Sequence, residues 1–149
     1  MAKYLRWFAL VALASLSACA SVPMATADLD VQGKRFQAPP PGKAAFYIYR
    51  ESIFGGAYSL NVTMGPRTLG TLAADTWFLV DVDPGQYDMR CNAPESSDSK
   101  IVAIAAGETR YVEVAIRMGL VQPRCAVFEV NAEQGQKAVL GGKRAQEIR

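Results

Sequence analysis

Residues 109–118 alternate without a break. Val112, Val114, Ile116 and Met118 fall on one side, and Tyr111, Glu113, Ala115 and Arg117 on the other. A period of two matches the pleat of a β-strand and not the helical period of about 3.6. One face is therefore expected to be buried and the other to meet water, as in an antiparallel sheet.

The same period recurs along the chain. Residues 45–50 place Phe46 and Ile48 opposite Tyr47 and Tyr49, residues 58–63 group Tyr58, Leu60 and Val62, and residues 76–82 align Phe78, Val80 and Val82. Further strands are expected over 69–72, 86–91, 100–106 and 124–130. The breaks between them carry turn residues. Gly65-Pro66-Arg67 reads as a hairpin connection, Asp83-Pro84-Gly85 as a type II turn, 92–99 as a polar loop and Gly107-Glu108 as a turn. Asn131-Ala132-Glu133-Gln134 reads as an N-cap with Gln at the third helical position, opening a short helix that ends near Gly141-Gly142. The pattern has no βαβ rhythm. It predicts an all-β fold, an antiparallel β-sandwich of about 7–8 strands with a short C-terminal helix. With 149 residues there is room for one domain, assigned to 44–142, followed by a polar tail over 143–149.

The N-terminus is an address. Lys3 and Arg6 precede the uncharged run 7–16, which is too short to span a bilayer core of about 30 Å and reads as an export signal over residues 1–18. Leu16-Ser17-Ala18-Cys19 resembles the lipobox of bacterial lipoproteins, in which the cysteine is lipidated and the signal is cut just before it. The resemblance implies a lipidated Cys19 carrying two or three acyl chains, enough for stable anchoring where one chain is marginal. Ala20, standing where an aspartate signals inner-membrane retention, points to the outer membrane, with the domain facing the periplasm. The competing reading is an ordinary secretory cut at Ala18-Cys19-Ala20 that releases a soluble protein from Ser21. Residues 19–43 then form the lipidated terminus and a linker. Its polar, small composition and Pro39-Pro40-Pro41-Gly42 favour an extended spacer that holds the domain off the membrane, with Phe36 placed to tuck against it.

The ordered set Phe46-Tyr47-Ile48-Tyr49-Arg50, Phe54-Gly55-Gly56, Leu69-Gly70, Trp77-Phe78, Asp83-Pro84-Gly85-Gln86-Tyr87 and Ala106-Gly107-Glu108-Thr109-Arg110-Tyr111 resembles the DUF2846 family of small bacterial lipoproteins, over roughly residues 36–140. Where that family usually has an Asp-Gly hairpin turn, this chain has Met64-Gly65-Pro66. The resemblance implies a fold and a location, and supplies no catalytic residues.

Composition narrows the chemistry. There is no histidine, so a Ser-His-Asp triad and His-ligated zinc are both excluded. Once the signal leaves, the 16 basic residues fall to 14, equal to the 14 acidic ones, and no nucleic-acid partner is expected. With Cys19 lipidated, Cys91 and Cys125 form an even pair in an oxidising compartment and are candidates for a structural disulfide, two buried free thiols being the alternative. No C-x-x-C motif suggests redox catalysis. Asp81, Asp83, Asp88 and Asp98 can in principle bind calcium or act as paired carboxylates, but they read better as solvated turn acids. Ser96-Ser97-Asp98-Ser99 has hydroxyls and no base partner. The best candidate surface is Tyr47 and Tyr49 together with Phe54, Gly55 and Gly56, aromatic platforms beside a glycine loop. The competing reading is that the C-terminal helix covers both tyrosines. The expectation is a non-catalytic envelope module, without cofactor or metal, that docks a partner protein. Binding of a small ligand or glycan is the alternative.

Overall fold

A computed structural model describes residues 21–51 and 56–148. Its elements are α1 (Ala27–Gly33), β1 (Ala44–Arg50), β2 (Leu60–Met64), β3 (Arg67–Leu72), β4 (Thr76–Val82), β5 (Gly85–Asn92), β6 (Ser97–Ile104), β7 (Thr109–Arg117), β8 (Arg124–Val130), α2 (Ala132–Gly141) and β9 (Lys143–Arg144). Two sheets stack, one in the order β8-β7-β1-β4-β9 and the other in the order β3-β2-β5-β6. The inner core lies between them, around Phe46, Ile48, Val62, Phe78, Met89 and Val112. These are the inward positions of the period-two pattern.

The β-sandwich and C-terminal helix expected from the sequence are both present. Pairing orientation is mixed. β1–β4, β2–β3, β2–β5, β5–β6 and β7–β8 are antiparallel, whereas β1–β7 and β4–β9 run parallel. Alternation carries no information about direction. The chain reaches β7 from β1 only after visiting the second sheet, and such long crossovers permit parallel neighbours. Pro84 and Gly85 correct another expectation. Gly85 has no left-handed φ and begins β5, because this connection carries the chain from one sheet to the other instead of reversing it within one. Gly65, at φ 56°, does close the β2–β3 hairpin, and Gly107, at φ 80°, turns the chain into β7.

The expected spacer is also corrected. Residues 27–33 are helical, capped by Thr26, whose hydroxyl accepts from the Leu29 amide at 3.5 Å. Ahead of the helix, Met24 bridges Ala145, and the Gln146 amide donates to the Pro23 carbonyl at 2.8 Å. So short a helix is marginal alone. It persists because Asp30 accepts from the Arg144 amide at 2.7 Å and Lys34 donates to the Gly142 carbonyl at 2.7 Å. The polar tail is likewise part of the body: β9 pairs with β4, and the Ile148 amide donates to the Leu69 carbonyl at 2.8 Å.

The register fixes two ends. β1 finishes where β4 begins (Arg50↔Thr76), β7 runs past that level to Arg117, and β9 starts there (Thr76↔Lys143). The β1–β2, β3–β4, β5–β6 and β7–β8 connections thus share the Arg50 end. The β2–β3, β4–β5 and β6–β7 connections share the opposite, Ala44 end.

Candidate functional site

The tyrosines named from the sequence face away from the inner core, but they do not meet solvent. Tyr47 is 2% and Tyr49 1% exposed. All seven residues of β1 are buried because α1 and α2 lie over the outer face of its sheet. There Tyr47, Tyr49, Trp77, Tyr111 and Val139 form a second apolar cluster, with Phe36, Leu79, Val130 and Ala138 packed against it. Phe36 takes a left-handed φ of 49° and sets its ring 5.5 Å from that of Tyr47. The Tyr47 hydroxyl donates to the Gly33 carbonyl at 2.7 Å, tying α1 to the sheet. Tyr47 and Tyr49 are therefore interior residues and not a binding face, which corrects the expectation. Tyr111 and Glu113, expected to be wet, are buried and half-buried for the same reason. Gly56 is partly exposed beside the segment that held the rest of the candidate surface. Phe54, Gly55 and the lipidation candidate Cys19 lie outside the described residues.

Burial shapes the protonation of this cluster. Desolvation, reinforced by Tyr111, pushes the Tyr47 phenol up to about 12. Burial and the neighbouring Glu113 and Glu51 carboxyls raise Tyr49 as well. Glu113 is pushed above the usual carboxylate range, first by burial and then by Glu51. None of these shifts lowers a phenol toward neutrality, as a tyrosine base would need.

The two cysteines do meet. Cys91 of β5 and Cys125 of β8 form a disulfide with Cα atoms 6.3 Å apart, joining the two sheets. The surrounding side chains close the same side. Asp98 accepts from the Val127 amide at 2.8 Å, and the Ser96 hydroxyl accepts from the Cys125 amide at 3.4 Å. These two residues, read from sequence as loop acid and loop hydroxyl, bond the β6 side of one sheet to β8 of the other. The remaining acids diverge. Asp83 pairs with Lys43 at 2.7 Å, Asp88 with Arg90 at 3.0 Å, and Asp81 is exposed. Among the described residues no three His, Cys, Asp or Glu side chains are grouped to hold a metal.

Two features escaped the sequence reading. The first is a groove of about 700 Å³ between the start of α1 and residues 144–148, lined among others by Met24, Leu29, Arg144, Glu147 and Ile148. Its polar groups turn inward: Arg144 donates to the Leu79 carbonyl at 3.2 Å and lies over the Trp77 ring. The second is the β7–β8 loop. Met118, expected on the buried face of a strand, is 78% exposed because β7 ends at Arg117, and Leu120 and Val121 are 89% and 88% exposed. The signal was present as an apolar Met118-Gly119-Leu120-Val121 run between two strands, where a connection is ordinarily polar.

The family model for DUF2846, described as a protein of unknown function, matches residues 40–127, from just before β1 into β8. An uncharacterized protein of Haemophilus influenzae is 27% identical over 124 residues, covering 83% of this chain and 74% of that relative. No solved structure matches the chain. The family match spans more than half of the sequence, and the chain belongs to the DUF2846 family.

Proposed function

We propose that this is a lipid-anchored protein of the bacterial cell envelope, seated on the outer membrane and facing the periplasm, whose sandwich acts without catalysis as a protein-interaction module. The location rests on how the three cysteines divide. Cys91 and Cys125 pair with each other, as suits an oxidising compartment, and leave Cys19 at the end of a lipobox-like signal.

The observation that carries the interaction reading is the uneven coverage of the two sheets. One sheet has its outer face covered by both helices, while among the described residues no element lies over the outer side of the β3-β2-β5-β6 sheet. That side presents Asn61, Arg90 and Thr68, with Ile101 67% exposed on the edge strand β6. A mixed polar face with an exposed isoleucine on its edge strand suits a protein partner better than a small ligand, which calls for a concave site. Glycan or ligand binding draws on the groove beside Met24 and Ile148, but the aromatic platforms it would use are buried.

Two measurements test the reading. Cys19→Ser is expected to release the protein from membranes into the soluble periplasmic fraction, and unchanged retention would rule out the anchor. A photo-crosslinker at Ile101 is expected to give a discrete protein adduct in intact cells that the same group at Ala106 does not. Identical patterns at both positions would remove the interaction face.

A further inference from the structure

We infer that the Arg50 end of the sandwich lies against the bilayer, and that the β7–β8 loop, through Met118, Leu120 and Val121, is a second membrane contact beside the acyl chains. This deepens the anchored reading above and rests on it.

The tether has little slack. Ser21 and Val22 share a groove of about 330 Å³ with Ala73, Ala74 and Asp75 of the β3–β4 connection, which places them at the Arg50 end. Just beyond, Met24 and Pro23 are bonded to Ala145 and Gln146. Cys19 precedes Ser21 by two residues, a reach of about 7 Å even when fully extended. Acyl chains on Cys19 would therefore hold this end of the domain at the lipid surface. The spacer expected from the prolines does not intervene, because Pro39-Pro40-Pro41 lies after α1 and not between the anchor and the body.

Exposed large apolar side chains also lie on the flanks, Val31, Ile101 and Ile148 among them, but between the two ends they gather at the Arg50 end. Besides the three loop residues, Tyr58 is 45% and Leu140 57% exposed at the same end. The Ala44 end is the reverse. Its turns carry Gly65-Pro66, Asp83-Pro84 and 105–108, with the Lys43–Asp83 and Arg110–Glu108 ion pairs, and none of the exposed large hydrophobic residues among those described. Both poles carry charge, with the Glu95–Arg124 pair and exposed Glu51, Arg117 and Lys143 at the Arg50 end, but only this end adds an exposed tyrosine and large apolar side chains, the groups a membrane interface selects.

The loop is also built to hold its shape. Glu95 accepts from the Leu120 amide at 2.9 Å and from Arg124 Nε at 3.1 Å. The amide at the tip is thus satisfied, which matters where water is scarce. Gly119 permits the approach, since a Cβ there would collide with Glu95 and the Gln122 carbonyl. With equal numbers of acidic and basic residues in the mature chain, net charge does not draw it to anionic lipid, and the contact rests on the apolar loop.

The test uses the full-length protein purified from membranes and reconstituted into vesicles of phosphatidylethanolamine and phosphatidylglycerol with brominated acyl chains. Wild type, Leu120→Trp and Ala106→Trp share the background of buried Trp77. Quenching of the added indole is expected to be at least about threefold stronger for Leu120→Trp than for Ala106→Trp, with a blue-shifted emission. Equal, weak quenching in both overturns the membrane contact. An acylated protein with a water-exposed indole at position 120 refutes this inference and leaves the anchor standing. A protein without acyl mass whose position 120 is still quenched refutes the anchor and leaves the contact standing. In intact cells a photo-crosslinker at Leu120 should label lipid, whereas a discrete protein adduct would make the loop a protein-docking site and overturn the inference.

Discussion

Tyr47 and Tyr111 stack almost face to face across the parallel β1–β7 pair, with ring centroids 5.3 Å apart and planes 13° apart. The stack is the centre of the layer between the five-stranded sheet and the two helices, and Tyr47 alone also reaches the Gly33 carbonyl of α1. Truncating it leaves a cavity in that layer. Tyr47→Ala is expected to lower unfolding stability by about 3–5 kcal/mol, and Tyr47→Phe by about 0.5–1.5 kcal/mol, the net worth of one hydrogen bond, since the Gly33 carbonyl keeps the Phe36 amide at 3.2 Å. Urea denaturation of the two variants measures both. A loss below about 0.5 kcal/mol for the alanine variant would mean that the helices are not docked as described.

Two glycines set how closely the helices sit. A Cβ on Gly33 would run into the Trp77 indole, and one on Gly135 into the Tyr111 ring. Gly33→Ala and Gly135→Ala, which would help an isolated helix, are expected instead to destabilise the protein by about 1–3 kcal/mol through overpacking. The sign is the readout in thermal unfolding: stabilisation by either substitution contradicts the close approach.

The Cys91–Cys125 bond closes a loop with a sequence separation of 34 across the two sheets. By the chain-entropy relation it contributes about 3–4 kcal/mol. The double variant Cys91→Ser with Cys125→Ser should lose that amount in denaturant unfolding, and added reductant should bring the wild type to nearly the same midpoint. Labelling of both thiols in the unfolded, unreduced wild type would show that no such bond exists.

Alkaline pH is expected to unfold the protein. An unfolded Tyr47 phenol ionises near its ordinary 10.0, whereas burial holds the folded one protonated to about 12. The unfolded state thus binds fewer protons between those values. Stability from this group is intact below about pH 10 and falls as pH rises toward 12. Tyr49 and Tyr111, also raised by burial, add in the same direction. The urea midpoint should decline over this window, and less steeply in Tyr47→Phe. Identical slopes for wild type and variant would contradict the assignment.

How much was legible in the sequence varies by element, for physical reasons. β8 and the Asn131 cap of α2 were readable because both signals are local: a period of two, and a side-chain oxygen that accepts from the Gln134 amide at 2.9 Å. The pairing of Cys91 with Cys125 was one of two readings, resting on parity and on the expectation of an oxidising compartment, and the structure forms it. α1 was not readable. Its seven residues carry little helical signal, and it is held by Trp77, Tyr47 and Arg144, which lie far along the chain. The face carrying Tyr47 and Tyr49 was legible as a face but not as a buried one, since amphipathic aromatic residues suit a helix-covered layer and an open binding surface equally. Leu120 and Val121 were passed over because a connection between strands is read by its turn residues and not by its apolar content.

Mass spectrometry of the mature N-terminus in the membrane fraction bears most directly on the anchored reading. A terminus at Cys19 carrying acyl mass is the expected result. A terminus beyond Cys19 with no acyl mass, on a protein found free in the periplasm, would contradict it.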